Sequence, residues 1–125
     1  MSIGNGNAYY KAFRVGYRTS DYYVAWTSYY NSLNTTSQVI TGWNHIAVTW
    51  DGVNSVKLYL NGAEVGTLTT TNVNTNTSDI AIGGKSWSPP EDNLEDAWMA
   101  EAIIYNRALS ASEITALANE FTPTA

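Results

Sequence analysis

Hydrophobic and polar positions alternate with a period of two along much of the chain. In residues 55–60, SVKLYL, three aliphatic residues take alternate positions, with Lys57 and Tyr59 on the opposite face. Such alternation predicts a half-buried β-strand. The Asn61-Gly62 pair that follows favours a two-residue hairpin turn, because both turn positions require a positive φ. Residues 63–70 are therefore predicted to return as the second strand of a hairpin.

The remaining pattern is also that of short strands. Strands are predicted at YKAFRVGY (10–17), DYYVAWTSYY (21–30), QVI (38–40), GWNHIAVTW (42–50), DIAIGG (79–84) and AWMAEAIIYN (97–106), and loops at NSLNTT (31–36), TTTNVNTNTS (69–78) and KSWSPPEDNLED (85–96). Two prolines exclude a central strand from the last of these loops. Apolar residues fall on both faces of 97–106, as in a covered strand, so Trp98, Ile103 and Ile104 are expected in the core.

One helix is predicted at the end of the chain. Ser110 and Glu113 have the spacing of a capping box, and Leu109 and Ile114 occupy the positions of a hydrophobic staple. Leu109, Ile114 and Leu117 are expected to join the core. About eight strands and one short C-terminal helix predict an all-β fold, an antiparallel β-sandwich of the jelly-roll type, in a single domain over residues 1–125.

The composition narrows the classes of function. Only 14% of the 125 residues are charged, the net charge is −5 and there is no cysteine. A negative chain repels a phosphate backbone, so nucleic acid is not an expected partner. Disulfides and thiolate metal sites are excluded, no apolar run is long enough for membrane insertion, and MSIGNGNAYY lacks the features of a signal peptide.

Three blocks resemble the laminin-G-like, concanavalin A-like family of jelly-roll domains. They are GWNHIAVTWDGVNSVKLYLNGAEVG from Gly42, DIAIGG from Asp79, and MAEAIIYNRALSASEITAL from Met99. The resemblance implies the lectin-like sandwich fold. The same fold serves lectins, adhesion modules, enzyme-appended domains and virion proteins. Ala100 precedes Glu101 where many members carry an aspartate, which weakens an inherited calcium site.

The resemblance also implies an incomplete sheet edge. In this family the first and last strands tend to be neighbours, and residues 1–41 are too few for all the usual early strands. The domain is therefore interpreted as shortened on its N-terminal side. The last strand would then have an open edge, and exposed edges invite pairing. We expect a neighbouring subunit or partner protein to cover it, in a homo-oligomer or a larger assembly.

His45 is the only histidine. A catalytic histidine needs a nucleophile or carboxylate beside it, and the chain has no Gly-x-Ser-x-Gly elbow, no cysteine and no second histidine. We interpret it as part of the scaffold. The acids Glu95, Asp96 and Glu101 do not match the E-x-D-x-x-E strand of glycosidases with this fold. Catalytic residues are therefore not expected.

Two further groups are candidate binding residues. Asp92, Asn93, Glu95 and Asp96 offer loop oxygens suited to Ca²⁺, although a solvated acidic loop is the commoner explanation of such a charge run. The aromatic residues offer stacking surfaces for sugars, although sandwich packing and subunit contacts use the same residue types. The candidates for carbohydrate binding are Trp87, Tyr23, Tyr29 and Tyr30.

These features favour a non-catalytic, lectin-like module that binds a surface glycan through loops or one sheet face. A structural protein of a virion, such as a phage decoration protein, is the alternative, since such proteins also use the sandwich for protein–protein contacts. A small glycoside hydrolase is the weakest alternative. The expected location is extracellular or on a virion surface.

Overall fold

The computed structural model describes residues 2–4, 12–17, 23–27, 32–70, 73, 80–82 and 98–120. Within them the chain forms eight strands and one helix. The elements are β1 (Ser2–Gly4), β2 (Ala12–Tyr17), β3 (Tyr23–Thr27), β4 (Ser32–Gln38), β5 (Ile46–Trp50), β6 (Ser55–Leu60), β7 (Ala63–Thr69), β8 (Ile80–Ala81) and α1 (Ala111–Glu120).

The strands form two antiparallel sheets. The larger sheet has the order β4-β3-β2-β1-β8, and the smaller sheet has the order β5-β6-β7. The sheets stack with β4 against β7, β3 against β6 and β2 against β5. The predicted antiparallel β-sandwich with one short helix is confirmed.

The core lies between the two sheets. Val56, Leu58 and Leu60 alternate along β6 and are buried, as their spacing predicts. Val15 of β2 and Leu33 of β4 pack against them from the larger sheet. Leu33 also lies within 3.1 Å of the position that a Cβ would occupy at residue 66, which explains a glycine in the middle of β7.

Helix α1 covers the other face of the smaller sheet. Tyr59 shares that face with Lys57, yet it is only 2% exposed, because Leu109 and Ile114 pack on it. Ala47 and Leu117 complete this second cluster. Leu109 and Ile114 thus form the predicted staple, and the interpretation of Leu109, Ile114 and Leu117 as core is confirmed.

The N-terminus of α1 is fixed by the predicted capping box. The Ser110 N–H donates to Glu113 Oε2 at 2.8 Å, and the Glu113 N–H donates to Ser110 Oγ at 3.3 Å. Arg107 adds a bidentate ion pair, donating to the two carboxylate oxygens of Glu113 at 2.9 and 2.6 Å. These bonds fix the angle at which the chain enters the helix.

Three predicted segments have wrong boundaries. The segment 31–36, predicted as a loop, lies mainly in β4, whereas Val39 and Ile40 of the predicted strand 38–40 lie outside it. The strand predicted at 42–50 begins only at Ile46. Asparagine, serine and threonine are typical of loops, but pairing with β3 imposes an extended backbone on residues 32–38.

The prediction of a covered last strand at 97–106 is also wrong. No described residue from 98 to 106 belongs to a strand. Trp98 is 90% exposed, and Ile103 and Ile104, predicted as core, are 43% and 52% exposed. Apolar residues on both faces are buried only if layers cover both faces, and the described residues do not provide these layers.

Candidate functional site

Residues 40–44, here called the Trp43 loop, connect β4 to β5. The Asn44 side-chain amide donates to the carbonyl oxygens of Ile40 and Gly42 at 2.7 and 3.1 Å. Its oxygen accepts the Ile40 N–H at 3.1 Å. Gly42 has a φ of 100°, a value that other residue types rarely adopt. The Asn44 side chain therefore bonds the backbone of the loop, where the strand pairing of β4 has ended.

Asn61 ties this loop to the sheet. Its amide nitrogen donates to Asn44 Oδ1 at 3.2 Å, and its side-chain oxygen accepts the His45 N–H at 2.8 Å. Asn61 and Gly62 have φ values of 50° and 83°, which confirms the predicted hairpin turn between β6 and β7. The turn thus also holds the Trp43 loop.

The Trp43 loop presents two large apolar side chains. Trp43 is 45% exposed and Ile40 is 62% exposed. The amide of Asn44 uses both donors and both lone-pair directions of its oxygen, so little freedom remains in the backbone beneath the indole. An aromatic ring on a preorganised loop is a stacking surface for the apolar face of a sugar ring.

His45 follows the loop and is half-buried. Its Nδ1 is buried and has no hydrogen-bond partner. Burial lowers the pKa of the imidazole, which favours the neutral form. A neutral imidazole with an unpaired nitrogen lacks the orienting partner that a general base needs. The interpretation of His45 as scaffold agrees with this geometry.

Three of the described carboxylates, Asp51, Glu64 and Glu113, stabilise a turn, a strand pair and the start of the helix. Asp51 Oδ1 accepts the backbone N–H groups of Val53, Asn54 and Ser55 at 2.8 to 2.9 Å. These bonds, first that from Ser55, lower the pKa of Asp51. Lys57 and Glu64 form a cross-strand ion pair at 2.9 Å. These acids are ionised and held by the scaffold, unlike a general acid, which needs a raised pKa.

The described residues contain no group of three histidine, cysteine or acidic side chains that could hold a metal ion. The calcium candidates Asp92, Asn93, Glu95 and Asp96 lie outside the described residues, as do the carbohydrate candidates Trp87, Tyr29 and Tyr30. Tyr23 begins β3, where it is paired with Gln38. No helix in the described ranges has the length and apolar character needed to cross a membrane.

The Trp43 loop was not among the predicted binding residues, because residues 42–45 were assigned to a strand. A signal was present. Gly42 precedes Trp43 and Asn44, and a second asparagine stands in the hairpin turn, at Asn61. Glycine and asparagine favour turns and side-chain-to-backbone bonds. The pairing of two asparagines that lie 17 positions apart is visible only in the fold.

A second exposed apolar feature is the 98–105 segment, which precedes the corner at Arg107. Its large apolar side chains are all at least 43% exposed, and they are Trp98, Met99, Ile103, Ile104 and Tyr105. Singly exposed apolar residues are ordinary, but several within eight positions make this segment a candidate interaction surface.

Comparison with known proteins places these features in a family context. A family model described as the concanavalin A-like lectin/glucanases superfamily matches residues 2–115. Among solved structures, this chain is similar to an S-layer domain-containing protein from Clostridium thermocellum, with 26% sequence identity and a TM-score of 0.54. The alignment covers 94% of this chain and 61% of that one, so this chain spans about three fifths of its length. No curated protein matches the chain.

Proposed function

The chain belongs to the concanavalin A-like lectin/glucanases superfamily, and from this membership we propose that it is a non-catalytic binding module that recognises carbohydrate through the Trp43 loop. The observation that carries the proposal is the half-exposed indole of Trp43 on a backbone held by Asn44 and Asn61. Sugars present flat apolar faces that stack on such a ring.

The charges of the described residues support a binding rather than a catalytic role. Glycoside hydrolysis needs two carboxyl groups on either side of the scissile bond, one of them with a raised pKa. Asp51 and Glu64 have lowered pKa values and are held by turn and cross-strand bonds. Glu95 and Glu101 remain the acids to test for hydrolysis, by measuring reducing-sugar release from Glu95→Gln and Glu101→Gln variants.

Further aromatic residues would extend the binding surface. Trp87, Tyr23, Tyr29 and Tyr30 are proposed as additional stacking residues, and Asp92, Glu95 and Asp96 as the ligands of a Ca²⁺ ion that orders the acidic loop. The similarity to an S-layer domain-containing protein supports an extracellular or cell-surface location.

A glycan array, read with Ca²⁺ and again with a chelator, tests the proposal. We expect specific binding that Trp43→Ala weakens about tenfold and Trp43→Phe largely retains, because stacking needs an aromatic face. Val53→Ala is the matched control, since Val53 is also an exposed apolar loop residue, at 68% exposure. Loss of binding on chelation would support the calcium proposal.

A blank array in both conditions would contradict the carbohydrate proposal. The second candidate, a structural protein of a cell-surface or virion assembly, would then be favoured. The exposed apolar residues of the 98–105 segment support that alternative, because such surfaces are typical of protein–protein contacts.

A further inference from the structure

Strand β5 is the last strand of the smaller sheet, and its outer edge is unpaired among the described residues. The Asn61 N–H donates to the His45 carbonyl at 2.8 Å, and the Asp51 N–H donates to the Ser55 carbonyl at 3.1 Å. These bonds fix the phase of the ladder, so every second residue of β5 directs its N–H and C=O away from β6. The outward-directed residues are Ile46, Val48 and Trp50, and no described residue pairs with them on that side.

The larger sheet continues past this edge. Strand β2 lies against β5, and β1 and β8 extend the larger sheet beyond β2. Paired residues share a face of the sheet, and Ile80 pairs with Ile3, which pairs with Phe13. Phe13 lies two positions from Val15 on the same strand, so Ile80 is on the face that carries Val15. Val15 packs on the core, whereas Ile80 is 53% exposed. The described sandwich therefore has room for one more strand beside β5.

The 98–105 segment has the composition of that strand. It follows a strand-like pattern, carries five exposed large apolar residues and has one charge, at Glu101. At about 3.3 Å per residue its eight residues are long enough to pair with the whole of β5. Strand β5, Ile46–Trp50, contains no charge and no proline, the residues that ordinarily protect an edge from pairing.

We propose that the 98–105 segment of one copy adds as a strand to β5 of a second copy, and that the reciprocal exchange forms a two-fold dimer. The 98–105 segment remains exposed beside its own core, while Leu109, four residues further on, is anchored against Tyr59 and Ile114. A chain that carries both an open strand edge and an unpaired strand-like segment is complementary to itself, and a reciprocal two-fold exchange closes at two copies.

The dimer goes beyond the carbohydrate proposal and does not depend on it. The exchange would place the apolar residues of each segment over the exposed Ile80 side chain of the other copy. The binding loops at Trp43 would then be presented twice, which raises avidity for a repeated surface ligand.

Sedimentation velocity of the whole chain over a wide concentration range, combined with amide hydrogen exchange, tests the dimer. We expect a concentration-dependent dimer in which the Val48 amide exchanges slowly. Ile104→Lys should raise the dissociation constant at least about 100-fold, because an unpaired ammonium would be buried between the copies. Val53→Lys is the matched control, since it places the same charge on an exposed apolar position elsewhere.

Three results would overturn the exchange. A monomer at every concentration, with fast exchange at Val48, would leave the edge open. A monomer with a protected Val48 amide would show that the strand pairs within its own chain. A dimer that Ile104→Lys and Val53→Lys affect equally would place the interface elsewhere. Circular dichroism of both variants checks that the fold is retained.

Discussion

Asn61 donates a hydrogen bond from its side-chain amide to Asn44 Oδ1 at 3.2 Å, and this bond joins the β6–β7 turn to the Trp43 loop. The same asparagine adopts the positive φ that the hairpin turn requires. One residue therefore serves the sheet through its backbone and the loop through its side chain. Changes at either asparagine should therefore affect both folding stability and ligand binding.

Asn44→Asp should loosen the loop. The substitution keeps the size of the side chain but removes the two N–H donors that reach Ile40 and Gly42. We expect a loss of about 1–2 kcal/mol in the free energy of unfolding, measured in urea, and weaker glycan binding although Trp43 is intact. Asn34→Asp, on the exposed side of β4, is the control for the charge change. Equal effects of the two variants would contradict the role of Asn44.

Gly62→Ala should destabilise the contact between the hairpin and α1. A Cβ at residue 62 would lie 3.2 Å from Thr115 Cα and 3.2 Å from Ala118 Cβ. Gly52 has nearly the same φ, 81° against 83°, but an added Cβ there would meet nothing within 4 Å. Gly52→Ala is therefore the control for backbone strain alone.

We expect Gly62→Ala to cost about 1–3 kcal/mol more than Gly52→Ala in urea unfolding, because the turn must move away from the helix. If the two variants lose equal stability, the helix does not pack as closely on the turn as the structure shows. A weaker near-ultraviolet signal in Gly62→Ala alone would support a displaced helix above Tyr59.

We expect the capping box to make the stability of the fold sensitive to acid. The Arg107 guanidinium, with the Ser110 N–H and hydroxyl, lowers the pKa of Glu113 to about 2. Because the folded pKa is depressed, this stabilisation is fully present above the ordinary value of 4.5 and is lost as the pH falls toward 2. Glu113→Gln should flatten the pH dependence of unfolding in that window.

Glu120→Gln at the other end of the same helix is the control, because it removes one negative charge without touching the capping box. Asp51 and Glu64 also have lowered pKa values, so some acid sensitivity should remain in both variants. Identical pH profiles for the two variants would contradict the assignment to Glu113.

We expect His45 to make the free energy of unfolding depend on pH a second time, nearer neutrality. Burial lowers the pKa of His45 below its usual 6.5, so the unfolded chain binds a proton more readily than the folded one. The stability that the folded chain gains from keeping His45 neutral is fully present above pH 6.5 and is lost as the pH falls below that value. His45→Phe should remove this dependence with little loss of stability at pH 7, since it replaces a buried, unpaired Nδ1 with carbon.

Chemical-shift titration of His45 in the wild-type chain is the direct check. An imidazole that titrates at or above 6.5 would mean that a partner stabilises its charged form. The scaffold interpretation of His45 would then need to be replaced by one with a polar neighbour.

The hairpin shows how much of the fold was predictable from local sequence. The alternation in Ser55–Leu60 and the Asn61-Gly62 turn fix two strands and the pairing nearest the turn, since period and turn geometry are local properties. Beyond Tyr59 the register shifts by one residue, which the turn does not determine. Ser110 and Glu113 likewise fix the start of α1. Gly42 and Asn44 gave a local signal for the Trp43 loop, but its attachment to the hairpin was not predictable, because the bond between Asn44 and Asn61 exists only once β5 lies beside β6.

By itself the sequence determined the sandwich class, the family motifs and the turn and cap chemistry, because each depends on residues only a few positions apart. Tertiary structure alone decided which apolar residues are buried. Tyr59, on a face it shares with Lys57, is covered by α1, whereas Trp98, Ile103 and Ile104 remain exposed. A hydrophobic side chain gains free energy when it is buried, but it is buried only if a neighbouring layer covers it. The stacking of the sheets and the helix decides where such a layer lies.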